Sequence, residues 1–371
     1  LQNLMMASGQ KIVPEKTLII FDEVQMYPRA RAAIKYLVAD GRYDYIETGS
    51  LMSIKKNVQD ILIPSEERHI RMYPMDFEEF LLALGNDTLM GIIKKCFTEN
   101  KPMGQSMHRK AMDYFRQYLI VGGMPQAVQE YVLSKDFDKV DKIKRDILTL
   151  YRADIMKHAS GYEIKVASIF DEIPSQLQKH EKKFKLSSIS KEARLRDYED
   201  ALFWLEDAMI VNICYNSTAP SIGLKLNIDR MTLKCYMADT GLLISHAFDE
   251  NGIVSEELYK KLLFDKLETN LGYIYENVVA QMLVAKGDNL FYYTMNSETS
   301  NHLHEIDFLI SVSDKICPIE VKSGNYRGHK SLDVFCDKFS SRIRDRYVVH
   351  TKDYKWENGI NYIPVYMVPF I

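Results

Sequence analysis

Thr17-Leu18-Ile19-Ile20-Phe21-Asp22-Glu23 is a short apolar run closed by two carboxylates. A continuous apolar run of this length predicts a strand buried on both faces of a parallel sheet, with its acids at the carboxyl tip. A polar, helix-like stretch follows. Tyr43-Asp44-Tyr45-Ile46-Glu47 then leads into Thr48-Gly49-Ser50, which reads as a second strand reaching a loop. Strand, helix and strand in succession imply an α/β layer.

Further along, the patterning changes. From Met75 to about Phe170 the chain reads as helices, broken near Gly85 and at Gly122-Gly123-Met124-Pro125, where paired glycines before proline cannot continue a helix. Between Ile164 and Leu243 two helical stretches precede β-like segments at 210–215 and 233–237. Leu195, Tyr198, Leu202, Leu205 and Met209 mark the second helix by their spacings of three and four. Helices followed by a small hairpin suggest a winged helix. From Gly272 a helix precedes three strand-like segments, 290–294, 306–312 and 318–321, and a mixed tail, the pattern of a separate α/β domain.

A chain of 371 residues is long enough for several cores. With 46% hydrophobic and 27% charged residues it is expected to fold throughout. The net charge of -3 gives no global attraction to nucleic acid or anionic lipid, so any polyanion contact must be local. The 5 cysteines form no CxxC pair, which disfavours a disulfide framework and a zinc site and points to the cytoplasm. No apolar stretch is long enough to span a bilayer, so no membrane association is expected. Because Leu1 stands first and a buried strand follows so soon, further sequence is expected upstream.

The first acidic strand has the form of a Walker B element. In that chemistry Asp22 would hold Mg2+ through water and Glu23 would polarise the attacking water, which requires both carboxylates at one strand tip. Thr48 or Ser50 at the next tip would sense the γ-phosphate. An apolar run followed by two acids is common, and a Thr-Gly-Ser loop is by default only a turn. No GxxxxGK[ST] loop occurs in the sequence, so the phosphate-cradling half of an ATP site is missing from it. The segments Leu18-Ile-Ile-Phe-Asp-Glu-Val-Gln25, Thr48-Gly-Ser50, Tyr73-Pro-Met-Asp-Phe-Glu-Glu-Phe80 and Gly122-Gly-Met-Pro125, in this order, together resemble a family of prokaryotic AAA-type ATPases. The resemblance implies a P-loop upstream of Leu1, then a winged helix and a nuclease-like domain after the ATPase core. It also places Arg152 on a helix from which it would serve as an arginine finger or sensor, although a solvated helix arginine is the commoner case.

A second constellation lies near the carboxyl end. In Pro318-Ile-Glu-Val-Lys-Ser-Gly324, alternation sends Glu320 and Lys322 to one face. Asp307 interrupts an apolar strand just before them, and a turn centred on Asp314 and Lys315 would set Asp307 opposite Lys322. Glu276 lies on the otherwise apolar helical stripe of Val279, Ala280 and Leu283, where a carboxylate needs a partner or a metal. Asp307, Glu320 and the Val321 carbonyl would suit a hard cation such as Mg2+ or Mn2+, and Lys322 would orient or deprotonate water. Each acid alone also reads as half of a salt bridge. The ordered set Glu276, Asp307, Glu320 and Lys322 resembles the PD-(D/E)xK superfamily, which implies a catalytic centre for DNA cleavage. His302 and His304 flank it at alternate positions and would reach metal or phosphate, although surface histidines at a strand entry are the commoner case. The basic residues Lys179, His180, Lys182, Lys183, Lys185, Lys191, Arg194 and Arg196 would meet phosphate, but acids are interleaved with them.

The expected fold is therefore α/β multidomain. It comprises a partial P-loop-type AAA ATPase core over 1–115, a helical and winged-helix region over 116–250, and a restriction-endonuclease-like α/β domain over 251–371. The expected function is ATPase-family nucleic-acid processing with a metal-dependent nuclease-like domain, with ATP joining only if a P-loop is present. DNA is the expected partner, alongside a homo-oligomer or a protein. The competing expectation is a non-catalytic, ATP-regulated DNA- or protein-binding module on a nuclease-like scaffold.

Overall fold

The computed structural model describes residues 6, 9, 11–49, 67–179, 183–185, 188–189, 195–248, 256–264, 272–296, 303–324 and 326–371. The chain divides into two compact units, Leu1–Met72 and Tyr73–Ile371.

In the first unit, strands β1 (Leu18–Phe21) and β2 (Asp44–Glu47) pair in parallel, with helix α1 (Pro28–Asp40) as the crossover. Proline at the first turn of α1 suits a position whose N–H has no helical partner, and Gly41 ends the helix in the left-handed conformation. The expectation that β1 is buried on both faces is not met among the described residues. Leu18 and Ile20 are 49% and 58% exposed, while Ile19 and Phe21 on the opposite face are half-buried. Sequence patterning reports the burial a strand is suited to, and the covering layer has to be supplied by tertiary structure.

The second unit joins helices to one eight-stranded sheet. Helix α2 (Phe77–Ala83) begins at a capping box in which Asp76 accepts the Glu79 N–H at 2.8 Å and Glu79 accepts the Asp76 N–H at 2.9 Å. This explains the polar positions of the Tyr73–Phe80 segment. Its aromatic positions, Phe77 and Phe80, are buried against Phe115 and Tyr118. Helices α3 (Leu89–Thr98), α4 (Gln105–Val121), α5 (Pro125–Ser134), α6 (Phe137–His158), α7 (Glu163–Gln178) and α8 (Glu199–Asp207) follow. The break between α4 and α5 is the Gly122-Gly123 pair, where the backbone comes so close to Met75 and Asp239 that side chains have no room. The helix marked by the Leu195–Met209 spacing is shorter than its stripe. Leu195 lies in a separate 3-10 turn, and Met209 adopts a positive φ that ends the element.

The sheet runs β4-β3-β5-β6-β7-β8-β10-β9. Its strands are β3 (Val211–Ser217), β4 (Ile228–Met237), β5 (Phe291–Asn296), β6 (Leu303–Val312), β7 (Lys315–Val321), β8 (Tyr347–His350), β9 (Lys355–Glu357) and β10 (Ile360–Pro364). The β3–β4 hairpin, expected as a wing, is joined to this sheet through the parallel β3–β5 contact, so the 116–250 and 251–371 spans share one sheet. Local alternation reveals a hairpin but not which strand its free edge will meet. Helices α9 (Thr240–Ala247), α10 (Glu256–Leu263), α11 (Gly272–Ala285) and α12 (Lys330–Lys338) complete the unit, with α11 contacting β3, β4 and β7. Among the described residues, no helix is long and apolar enough to cross a membrane.

Candidate active site

At the tips of β1 and β2, the parallel register sets Phe21 beside Glu47 and so brings Asp22 and Thr48 together. The Thr48 hydroxyl donates to the Asp22 carboxylate, and the Thr48 backbone is tied to both sides of the acidic turn through Phe21 O and Val24 N–H. Glu23 takes the left-handed conformation, which turns the chain sharply after Asp22. Asp22, Glu23 and the Thr48 hydroxyl are therefore one contiguous group on exposed loops. Ser50 lies outside the described residues. Beneath them Arg31, itself buried, forks onto Glu67 at 3.1 and 3.3 Å and lies 3.9 Å from Glu47. In the second unit, Arg152 pairs with Asp171 at 2.9 Å and stacks over Phe170.

The acid set of the second unit is built on β6, β7, α11 and, unexpectedly, β4. The β6–β7 turn is Ser313–Asp314, because Val312 pairs with Lys315 and Phe308 with Ile319. The register therefore differs by two residues from the one that would set Asp307 opposite Lys322. Ser313, not Asp314 or Lys315, takes the positive φ that a two-residue hairpin loop needs. The slip preserves the faces, since side chains alternate with period two.

On its other edge β6 carries a bulge. Tyr293 pairs with Ile306 but Phe291 pairs with Leu309, so Asp307 and Phe308 together oppose Tyr292. A bulge bends the strand and re-aims its side chains. Asp307 Oδ2 accepts the Val321 N–H at 2.8 Å, taking the place of a ladder bond at the end of β7. Lys322 Nζ lies 2.7 Å from Glu320 Oε1, while Glu320 Oε2 is buried without a hydrogen-bond partner among the described residues. Burial, and after it the charge of Asp307, pushes the Glu320 carboxyl up to about 7. Burial disfavours the charge of Lys322, but the adjoining Glu320 more than offsets this and its pKa is raised.

Glu276, buried on α11, accepts from the Tyr236 hydroxyl at 3.4 Å. Lys234, two residues earlier on β4, is 0% exposed; its Nζ lies 2.6 Å from Glu305 Oε1, 3.8 Å from Asp307 Oδ1 and 4.8 Å from the Tyr292 ring centre. Desolvation works against this ammonium, yet Glu305, Tyr236 and Asp307 outweigh it and raise its pKa. Lys234, Tyr236 and Glu305 were not singled out from the sequence. The available signal was a lysine inside the apolar run Leu233-Lys234-Cys235-Tyr236-Met237, since a buried charge requires a partner.

Among the described residues no group of three or more His, Cys, Asp or Glu side chains converges as a ready metal cage. His304 contacts Ser331 at 3.3 Å, and His302 lies outside the described residues. Of the basic stretch, Lys179, Lys183, Lys185 and Arg196 are described, and His180, Lys182, Lys191 and Arg194 are not.

Three family models match parts of the chain. Residues 1–81 match an AAA domain, 112–251 a domain of unknown function (DUF8612), and 271–368 a domain of unknown function (DUF4143). The first and last of these support an AAA-type family and, with it, an ATPase-like function. No curated protein matches the chain. The crystal structure of protein VC1899 from Vibrio cholerae aligns over 96% of this chain and 90% of that one, at 10% identity and a TM-score of 0.21.

Proposed function

We propose that this chain is an ATPase-family nucleic-acid-processing protein whose second unit holds a metal-dependent phosphodiesterase site of the PD-(D/E)xK kind. The observation that carries this reading is the convergence of Asp307, Glu320 and Lys322 where the end of β7 meets the middle of β6. There Glu320 keeps one carboxylate oxygen buried and, among the described residues, unpartnered. An orphaned buried carboxylate oxygen beside a second carboxylate fits a hard divalent cation, which is satisfied by one or two carboxylates with water completing its shell.

Asp307, Glu320 and the Val321 carbonyl would hold Mg2+ or Mn2+, which when bound supplies charge neutralisation and acidifies water. The Val321 N–H fixes the orientation of Asp307. Lys322 is kept charged by Glu320, so its role is to donate a hydrogen bond to a phosphate oxygen or to orient water rather than to remove a proton. Glu276, tied to Tyr236 of β4, would be the helix acid of the set. Asp22, Glu23 and Thr48 would form the acid side of an ATP–Mg2+ site, completed by a phosphate-binding loop from elsewhere. DNA is the proposed substrate, and the described part of the basic stretch offers it phosphate contacts.

The test is Mg2+- and Mn2+-dependent cleavage of single- and double-stranded DNA by this chain, beside Asp307→Ala and Lys322→Ala. Cleavage by the parent that is lost in both variants supports the reading. Absence of cleavage with every substrate and metal moves the assignment to the second reading, a non-catalytic DNA- or protein-binding module. One observation favours that alternative: Lys234 already supplies Asp307 with positive charge.

A further inference from the structure

The acid set is more crowded with charge than a bare cation site. Glu305, Asp307 and Glu320 contribute three carboxylates, and Lys234 and Lys322 contribute two ammonium groups. The two lysines differ in kind. Lys322 follows β7 and keeps part of its side chain in solvent, so it can turn away from Glu320. Lys234 comes from the far edge of the sheet and is wholly buried. Glu305 holds it on one side and the Tyr292 ring lies beneath it. A buried ammonium with such a close carboxylate partner has nowhere to relax, because leaving Glu305 would strand its charge in a low dielectric.

We infer that Lys234 is a built-in competitor of the divalent cation: its Nζ, anchored by Glu305 and facing Asp307 Oδ1, limits how tightly a cation is held at Asp307 and Glu320. This rests on the proposed metal site and adds its regulation. A divalent ion seated between Asp307 and Glu320 would lie within a few ångströms of a fixed positive charge. Like-charge repulsion at that range, even at the effective dielectric of a partly wet site, exceeds the energy of a tenfold change in affinity. Cation loading is thereby made to depend on something that offsets Lys234, and the negative charge of a bound phosphodiester is of the right chemical class.

Lys234 therefore acts as a positioning residue through Asp307. Its neighbour Tyr236, on the same strand face, meets Glu276, so β4 places one side chain on each of two acids of the set. The 251–371 span alone would lack both of these contacts.

The measurement is Mn2+ binding to the metal-free chain, followed by electron paramagnetic resonance, for the parent, Lys234→Met, Lys234→Arg and Asp307→Asn. Lys234→Met removes the charge and keeps the length, and is expected to tighten Mn2+ binding about ten- to a hundredfold. Lys234→Arg should leave it within a few-fold of the parent, and Asp307→Asn should abolish it. If Lys234→Met does not fold, as judged by circular dichroism, Lys234→Gln is read in its place, since it retains a donor for Glu305. A folded, uncharged Lys234 variant with parental affinity, alongside loss of binding in Asp307→Asn, overturns the competitor role and leaves the metal site standing. No saturable Mn2+ binding by the parent or any Lys234 variant removes the metal site and the inference together.

Discussion

The carboxylate of Asp307 and the backbone N–H of Val321 meet at 2.8 Å, so one side chain both closes the β6–β7 ladder and faces the end of β7. An acid in this position is a structural hydrogen-bond acceptor as well as a charge, and its two roles can be separated by substitution.

Asp307→Ala is expected to destabilise the second unit by about 1–3 kcal/mol, because it leaves the buried Val321 N–H unsatisfied and deprives Lys234 of a carboxylate. Asp307→Asn retains an acceptor and should cost less. Urea denaturation followed by Trp204 and Trp356 fluorescence, both in this unit, reports the difference. Equal stabilities of the two variants would argue against the Val321 bond as a structural contact.

Glu320 gives the metal-free protein a pH signature. Burial raises its pKa from 4.5 to about 7, so the folded state binds the proton more tightly than the unfolded state does. Its contribution to stability is full below about 4.5 and is lost as pH rises through about 7, a change of at most about 3 kcal/mol. Denaturation in chelator at pH 5 and pH 8 measures it, with Glu320→Gln expected to remove this part of the slope. A slope unaltered in that variant would assign the pH dependence to other groups.

Gly123→Ala is expected to cost about 3 kcal/mol or more. Its Cβ would stand 2.1 Å from Met75 O and 2.7 Å from Met75 N, both backbone atoms, where Met75 N–H also donates to Gly123 O. A loss of under about 1 kcal/mol in chemical denaturation, within the range of ordinary surface substitutions, would show that the two segments can separate.

In the first unit, Arg31→Met would remove a buried cation from the half-buried Glu47 and Glu67. Breaking a buried pair from one side costs about 3–5 kcal/mol. Hydrogen exchange in α1 (Pro28–Asp40) should accelerate sharply while exchange in the second unit's sheet stays unchanged. Unaltered protection of α1 would mean that the ion pairs contribute little.

The sequence by itself determined the local elements and the acids. An apolar run ending in Asp22-Glu23 could only be read as a strand with charge at its tip. Paired glycines before Pro125 had to interrupt a helix, and alternation alone placed Glu320 and Lys322 on one face. These are consequences of periodicity and backbone sterics, which act over a few residues. Tertiary structure decided what those residues meet. The β6–β7 register turned on which residue could take a positive φ, and it moved by two from Asp314–Lys315 to Ser313–Asp314. The bulge at Asp307 depends on the pairing of β6 with β5, and the joining of the β3–β4 hairpin to that sheet depends on a partner distant in sequence. Lys234 reaches Glu305 across 71 residues of chain, and nothing in the local pattern of either residue encodes that distance. Its charge was visible in the sequence; the low-dielectric surroundings and the carboxylates that give the charge a role exist only once the sheet has closed around it.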